Sequence, residues 1–296
     1  MKSLAPASSE IRLSEIDPDW TGSGPETPGK TGKTDKTGKS AKKASKAAKK
    51  AGEAELAAGA IELGELQEKL YAESRAGSKR NVLVVLQGMD TSGKGGAVHH
   101  AFGGANPAGL AISTFGAPTD EERAHDFLWR VRPRLPGAGI IGIFDRSHYE
   151  DVLIHRVQGL STPEAIEERY GLIREFEHKL AQSGTTVIKI MLHISLDEQK
   201  ARLLARLDDP SKHWKFSMSD LADRARWDDY QQAYEIAIAR TSTEQAPWFV
   251  VPANHKWFAR LAVQSIVVEK LRSLDLDWPL GTFNVDDARA QLLAQG

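Results

Sequence analysis

A short apolar segment followed by a glycine-rich turn constrains this chain more than any other feature of its sequence. Asn81–Leu86 is a Val-rich run without alternation, which is typical of a strand buried on both faces of a parallel sheet. The turn Gly88–Lys94, with the sequence GMDTSGK, follows it almost at once and matches the G-x-x-x-x-G-K phosphate loop. We therefore predict a strand, a phosphate-binding loop and the N-terminus of a helix, in that order.

Small residues in such a loop let successive backbone N–H groups point at phosphate oxygens, and a lysine adds a positive charge. The residues that we assign to phosphate binding are Gly88, Met89, Thr91, Ser92, Gly93, Lys94, Gly95 and Gly96. Gly95 departs from the motif, in which Ser or Thr follows the lysine and ligates magnesium. Asp90, inside the loop, is the candidate that replaces this ligand. A glycine-rich turn that binds nothing is the alternative, and the strand before the turn argues against it.

Composition excludes several classes of protein. The formal net charge is −1 and 41% of the residues are hydrophobic, so overall charge identifies no partner. The sequence contains neither a run long and apolar enough to span a membrane nor an apolar N-terminal signal, and we expect a cytoplasmic protein. The absence of cysteine excludes disulfides and thiolate chemistry. Neither H-E-x-x-H nor G-x-S-x-G occurs, which argues against zinc protease and serine hydrolase sites.

The N-terminal residues differ in composition from the rest of the chain. From Lys30 to Lys42 lysines recur about every third residue among Thr, Gly, Ser and Ala, and this segment offers nothing with which to form a core. We predict a disordered basic tail over residues 1–52 and one α/β domain over 53–296. The tail could attract a polyanion or serve only to keep the chain in solution, and both interpretations stay open.

Apolar segments alternate with helical ones after the loop. The further predicted strands are Leu110–Phe115, Gly139–Phe144, Thr185–Ile194 and Trp248–Val251. The further predicted helices run from Thr119 towards Pro133, over Glu164–Gln182, from the cap Ser195, and over Lys256–Leu274. This alternation predicts a three-layer α/β/α fold of the phosphate-loop kinase type, with a central parallel sheet of five strands.

A second acidic residue is predicted at the same edge of the sheet as the loop. Asp145 directly follows the third predicted strand, and ligands of parallel sheets gather at the carboxyl ends of the strands. Phosphate-loop kinases place a magnesium contact there. Asp145 could equally cap a helix, so the position alone does not decide between the two roles.

A basic segment follows the fourth predicted strand. Arg202 and Arg206 lie four residues apart on one helical face, and Lys212 and Lys215 follow in a segment that contains a proline. We predict a mobile basic helical lid over phosphates at about residues 200–222. A solvated basic helix and loop is the alternative.

Four segments of the sequence carry a resemblance to a known family. They are Gln87–Gly96, Ile143–Leu153, Ala205–Asp220 and Thr241–Phe258. In this order they resemble the polyphosphate kinase 2 family, and the similarity extends from about Leu66 to Leu274. The DRSHYED segment resembles the subgroup that accepts both AMP and ADP; the ADP-preferring subgroup more often has Trp at His148 and Asn at Glu150. Gly116 departs from the family, in which lysine is usual, and affinity for the chain substrate would be weaker if that lysine binds phosphate.

The resemblance implies a reversible phosphoryl transfer from inorganic polyphosphate to purine nucleotides, from AMP to ADP and from ADP to ATP. It implies that Asp90 and Asp145 hold Mg²⁺, or Mn²⁺ in its place, that Lys94 holds phosphates, and that Arg146, Arg202 and Arg206 neutralise charge on the transferring group. Arg202 is thus also assigned to substrate binding, together with Glu150, Lys212 and Lys215. Transfer between two bound phosphates requires no covalent enzyme intermediate. Family members form dimers or tetramers, so we expect a homo-oligomer, and we expect no nucleic acid partner.

Two other functions stay open at this point. An ATP-dependent nucleoside monophosphate kinase would have the same loop, lid and sheet, and would differ in its phosphoryl donor. A non-enzymatic binder of nucleic acid or polyphosphate, acting through the basic tail, is the more remote alternative. That alternative does not explain why Asp90, Lys94 and Asp145 occur together.

Overall fold

The structure, a computed structural model, describes residues 4–8, 10–22 and 38–295, with the backbone alone for 38–43. A parallel five-stranded sheet forms its centre, in the order β2-β3-β1-β4-β5. The strands are β1 Asn81–Gln87, β2 Leu110–Thr114, β3 Ile141–Asp145, β4 Thr185–His193 and β5 Trp248–Pro252. The predicted α/β class and the parallel five-stranded sheet are therefore confirmed.

Helices cover both faces of the sheet. They are α1 Gly38–Arg75, α2 Lys94–Ala101, α3 Asp120–Arg123, α4 Ile154–Val157, α5 Pro163–Gln182, α6 Leu196–Leu207, α7 Met218–Ala225, α8 Trp227–Thr241, α9 Lys256–Arg272 and α10 Val285–Leu293. One core cluster joins the sheet to α1, α2 and α9, and the other joins it to α5 and α8. No helix of the described ranges has the length and apolar character that a bilayer crossing requires.

The central strand β1 explains why its apolar run does not alternate. Val82, Val84 and Leu86 belong to the core on one face, and Leu83 and Val85 belong to the core on the other. Since both faces are covered, every residue of β1 is buried. The phosphate loop that follows β1 thus begins at the middle of the carboxyl edge of the sheet, between β3 and β4.

Helix α1 packs along α9. Gly52 and Gly59 lie against Trp257 and Gln264 of α9, and Leu63, Leu66 and Leu70 pack in the core cluster that contains α9. Glycine is required at one end, since a Cβ on Gly52 would lie 2.3 Å from Cζ3 of Trp257. The helices therefore approach closely there. Farther along, the ion pair between Glu62 and Arg272 joins the middle of α1 to the last residue of α9, with an Oε1–Nε distance of 2.5 Å.

The N-terminal residues differ from the predicted disordered tail. Leu4, Leu13 and Trp20 are buried, and the Trp20 ring meets Phe258 edge-on at 5.6 Å between centroids. Helix α1 begins at Gly38, so the described helix extends into the tail predicted for residues 1–52. Three widely spaced apolar residues carry no periodic signal, which is why sequence patterning missed this packing. Residues 23–37 lie outside the described residues, so the prediction for them stays a prediction.

The segment after β2 also differs from its prediction. Thr119 and Glu122 form the expected capping box, but α3 ends at Arg123 instead of continuing to Pro133. The Asp126 carboxylate accepts from the Leu128 N–H at 3.1 Å and from Arg132 at 2.9 Å. These local bonds give the backbone an alternative to further helical turns. Helices α7, α8 and α10 had no sequence prediction.

Candidate active site

The phosphate loop has the backbone of an anion-binding turn. Gly88, Thr91 and Gly93 have φ values of 148°, 64° and 103°, and Thr91 is a rare non-glycine residue in this region. A Cβ on Gly88 would lie 2.7 Å from the Leu192 carbonyl oxygen, so glycine is required there. The Thr91 and Ser92 hydroxyls are buried and have no hydrogen-bond partner among the residues that the structure describes. Buried hydroxyls without partners are unfavourable, so their position in this loop indicates a polar ligand.

The remaining loop residues differ in how they can contribute. Met89 is buried in the apolar core, so only its backbone can serve a ligand. A Cβ on Gly95 would meet no heavy atom of the described residues within 4 Å, so their packing does not impose the departure from Ser or Thr. A Cβ on Gly96 would lie 3.9 Å from Nη2 of Arg260, which places that guanidinium beside the first turn of α2.

Lys94 folds back over the loop. It is the first residue of α2, and its Nζ donates to the Gly88 carbonyl oxygen at 2.7 Å. Burial lowers the pKa of Lys94, while Asp90, Asp145 and Glu150 oppose this shift. The role of Lys94 in phosphate binding stays a prediction.

The predicted substrate role of Arg202 is wrong. Its side chain is buried, and its Nη1 donates to the carbonyl oxygens of Thr91 and Ser92 at 2.8 and 2.9 Å. Its Nη2 donates to the carbonyls of Ala253 and Asn254 at 2.6 and 2.9 Å, and its Nε donates to Glu198. All three nitrogens are thus bonded to protein. Arg202 clamps the phosphate loop to the segment before α9 instead of contacting a substrate.

Asp90 and Arg146 meet across the mouth of the loop. Arg146 Nη2 lies 3.0 Å from Asp90 Oδ1, and 40% of the Arg146 side chain is exposed. Arg146 has a φ of 64°, and its N–H donates to the Leu86 carbonyl, which turns the chain sharply after Asp145. Asp145 pairs in register with Leu86, so its carboxylate stands at the end of β3 next to the loop. The structure brings these three predicted residues together.

Glu150 also lies inside this cluster. Burial raises its pKa, against the lowering influence of Arg146 and Lys94 and of a hydrogen bond from Gln87. Its assignment to the substrate-binding residues stays a prediction. His148 is fully buried and packs against Phe176, so it can influence the site only through its neighbours.

Three polar residues of the site were missed by sequence reasoning. The Tyr234 hydroxyl accepts from the Gly88 N–H at 3.2 Å, Gln199 donates to the Asp90 carbonyl at 3.3 Å, and Gln87 donates to Ser147 at 3.1 Å. Tyr234 belongs to α8, whose buried positions recur at helical spacing from Tyr230 to Thr241. That spacing was the available signal, and it predicts a helix but not the contact with the loop.

The charged residues of the predicted lid bond to other residues of the lid. Arg206 donates to the Lys215 carbonyl at 2.9 Å and lies 3.4 Å from Asp220. Lys212 pairs with Asp209 at 2.6 Å, and the Lys215 ammonium lies 4.8 Å from the centroid of the Trp214 ring, which is 78% exposed. These contacts leave the lid lysines at the surface. Burial and then the charge of Asp90 raise the pKa of Asp220.

The acidic residues suit a metal that is shared with a phosphate substrate. Within residues 4–8, 10–22 and 38–295, no group of three or more His, Asp or Glu side chains could hold a metal ion. Mg²⁺ in phosphoryl-transfer sites is usually held by only one or two carboxylates together with substrate phosphates and water. Asp90 and Asp145 supply such a pair of oxygen ligands, so the residues present fit the metal.

Comparisons with known proteins agree with this geometry. Residues 46–277 match the family model described as polyphosphate kinase 2. The AMP/ADP-polyphosphate phosphotransferase of Meiothermus ruber is 51% identical over 77% of this chain and 85% of its own. The ADP-polyphosphate phosphotransferase of Rhodopseudomonas palustris is 43% identical, over 73% of this chain and 78% of that protein. The crystal structure of polyphosphate kinase 2 from Arthrobacter aurescens TC1 superimposes with a TM-score of 0.87, at 49% identity, over 98% of this chain and 95% of that one.

Proposed function

This chain belongs to the polyphosphate kinase 2 family and is thus a phosphotransferase, and we propose that it transfers phosphoryl groups from inorganic polyphosphate to AMP and ADP. The observation that carries the proposal is the pair of buried loop hydroxyls that have no partner among the described residues, next to the Asp90–Arg146 pair, in a chain similar to an AMP/ADP-polyphosphate phosphotransferase. A loop with such hydroxyls and a buried lysine suits a phosphate chain and offers no recognition of a base.

The loop residues hold the terminal phosphates of the donor. The Thr91 and Ser92 hydroxyls and the loop N–H groups donate to phosphate oxygens, and Lys94 exchanges the Gly88 carbonyl for a phosphate oxygen. Bound Mg²⁺ or Mn²⁺, held by Asp90 and Asp145, would neutralise phosphate charge. Arg146 is exposed enough to leave Asp90 and contact the transferring group.

The reaction exchanges one phosphoanhydride bond for another. An oxygen of the acceptor nucleotide's terminal phosphate attacks the terminal phosphorus of the chain, and the bond to the next bridging oxygen breaks. The shortened chain leaves as an anion. Because the attacking phosphate oxygen is already ionised at neutral pH, no general base is needed, and the side chains act by positioning and by neutralising charge.

The lid supplies the charges that complete the site. Arg206 closes over the transferring group from α6, while Lys212 and Lys215 move from the surface to grip nucleotide or polyphosphate. Glu150, beside Arg146 and Lys94, influences which acceptor binds. A cytoplasmic location and a dimeric or tetrameric assembly stay predictions from the sequence.

A comparison of donors tests the proposal against an ATP-dependent nucleoside monophosphate kinase. Purified full-length protein is incubated with AMP and Mg²⁺, in one reaction with polyphosphate and in the other with ATP. We expect ADP, and then ATP, to form from polyphosphate alone. Formation of ADP only in the reaction that contains ATP would establish the alternative. Parallel reactions with ADP, GMP and GDP define the acceptor range.

A further inference from the structure

A basic groove lies outside the site described above. It has a volume of about 830 Å³ and runs between the N-terminal turns of α1 and the start of α9. The close approach of the two helices at Gly52 and Trp257 forms it. Four lysine or arginine side chains line it: Lys46 and Lys49 from α1, and Lys256 and Arg260 from α9.

The positive charge of the groove is only partly compensated. Of its two glutamates, Glu53 lies 3.7 Å from Lys49, and Glu198 is bonded to the loop clamp Arg202 at 2.7 Å. Within the described part of the chain, no carboxylate oxygen lies within 4.0 Å of the charged nitrogens of Lys46, Lys256 or Arg260. Burial, and then the neighbouring Arg202, lower the pKa of Lys256. Such crowding of like charges favours an anionic occupant.

The groove lies next to the phosphate loop, since its lining residues Asn254 and Arg260 approach the loop clamp and the first turn of α2. Arg202 bonds the carbonyls of the loop with one end of its guanidinium and those of Ala253 and Asn254, next to Lys256, with the other. Arg260 reaches the first turn of α2 beside Gly96. A chain of phosphates whose terminus lies in the loop can therefore continue past Arg260 into the groove.

We propose that this groove binds the distal phosphates of the polyphosphate chain whose reacting end lies in the phosphate loop. The inference rests on the proposed function. Single-stranded nucleic acid is the less suitable anion, because its binding usually requires aromatic rings on which bases stack. Trp257 in the lining of this groove packs against Gly52 and forms a T-shaped pair with Phe258, at 5.8 Å between ring centroids.

The groove then discriminates by chain length. Phosphates near the reacting end contact the loop whatever the length of the chain, whereas only longer chains reach Lys256, Arg260 and the α1 lysines. Two doubly substituted variants test this: Lys256→Gln with Arg260→Gln, and Lys46→Gln with Lys49→Gln. The control, Lys50→Gln with Lys270→Gln, removes the same charge from the same two helices outside the groove.

The measured quantity is the ratio of kcat/KM for long-chain polyphosphate to kcat/KM for the shortest polyphosphate that the wild type uses, with AMP as acceptor. We expect this ratio to fall about five- to tenfold in each groove variant, as for the loss of two exposed ion pairs. It should stay at the wild-type value in the control. The fall should diminish as salt increases.

Three results would overturn the inference. The ratio could match the control in both groove variants, or both chain lengths could lose kcat/KM equally, which would indicate an indirect effect on the loop. Alternatively, the variants could lose affinity for single-stranded DNA, measured by fluorescence anisotropy, while the ratio is unchanged, which would assign the groove to nucleic acid. A wild type that forms no ADP from polyphosphate of either length would instead refute the proposed function.

Discussion

The two ends of helix α6 differ more than their sequence suggests. Arg202 and Arg206 lie one helical turn apart, and their spacing predicts one shared role at the substrate. At the N-terminal end, Arg202 is buried and bonded to four carbonyl oxygens of the loop and of the segment before α9. At the C-terminal end, Arg206 keeps 23% of its side chain exposed and bonds within the lid.

The difference teaches that burial, rather than spacing, decides what an arginine can do. A buried guanidinium surrounded by carbonyls has no donor left for a ligand, and it fixes the backbone that surrounds it. A partly exposed guanidinium with one long contact, such as the 3.4 Å pair with Asp220, can exchange that contact for a phosphate. We therefore assign loop geometry to Arg202 and charge neutralisation to Arg206.

The largest effect is expected from Arg202→Ala. The substitution leaves four carbonyl oxygens and the Glu198 carboxylate without their donor, and we expect a loss of about 3–5 kcal/mol in the free energy of unfolding. Thermal or urea unfolding measures it. Arg202→Lys should recover little of the lost free energy of unfolding, because one ammonium cannot bond both the loop carbonyls and those before α9. Wild-type stability in either variant would remove the basis of the comparison.

The next largest effect is a loss of turnover on neutralising Asp90 or Asp145. We expect Asp90→Asn and Asp145→Asn each to lower kcat about a hundredfold or more with AMP, polyphosphate and Mg²⁺, because each removes a charge that positions the metal and the phosphates. Steady-state kinetics measure it. Asp229→Asn, an exposed carboxylate on α8, is the matched control. Near-normal turnover in the Asp90 or Asp145 variant would disprove the assignment of the metal ligands.

A smaller effect on kcat, without a loss of stability, distinguishes the role of Arg206 from that of Arg202. We expect Arg206→Ala to lower kcat about tenfold, with a smaller change in KM, since the charge acts mainly on the transferring group. Its unfolding temperature should stay near that of the wild type, because the side chain is partly exposed. If turnover is unchanged, or if stability falls as far as in Arg202→Ala, the two arginines do not have separate roles.

The smallest effect concerns the contribution of Glu150, beside Arg146 and Lys94, to the stability of the fold. Burial raises the pKa of Glu150 above its ordinary value of 4.5, so the ionised carboxylate opposes folding at neutral pH. Glu150→Gln should therefore raise the unfolding temperature at pH 7 by at most a few degrees. The gain should disappear below pH 4.5, where the carboxyl is protonated in both states. A gain that persists in acid, or a loss at pH 7, would contradict this origin.

The sequence was most informative where one pattern determined one structure. The unbroken Val-rich run of β1 and the turn after it predicted the position of the loop, and Asp145 followed from the rule that ligands gather at the ends of parallel strands. Contacts between distant segments had no such pattern. Tyr234 reaches Gly88 only because α8 packs on the sheet, and Trp20 reaches Phe258 from a segment with a polar composition.

Contacts between distant segments also explain why the predicted substrate role of Arg202 was wrong. Its sequence neighbours are charged, and a charged helix next to a basic loop is typical of a solvated surface. Its partners are backbone carbonyls of Thr91, Ser92 and the residues before α9, and carbonyl groups are the same in every residue. Bonds to backbone leave no signature in a single sequence, so this clamp became visible only in three dimensions.

Direct transfer from polyphosphate to nucleotide is the central claim, and radiolabelled polyphosphate tests it most directly. The full-length protein is incubated with labelled long-chain polyphosphate, Mg²⁺ and AMP, without any nucleoside triphosphate. Our account predicts that label appears in ADP and ATP, and that none is retained covalently on the protein when AMP is left out. Label that remains on the protein, or nucleotides that stay unlabelled, would contradict it.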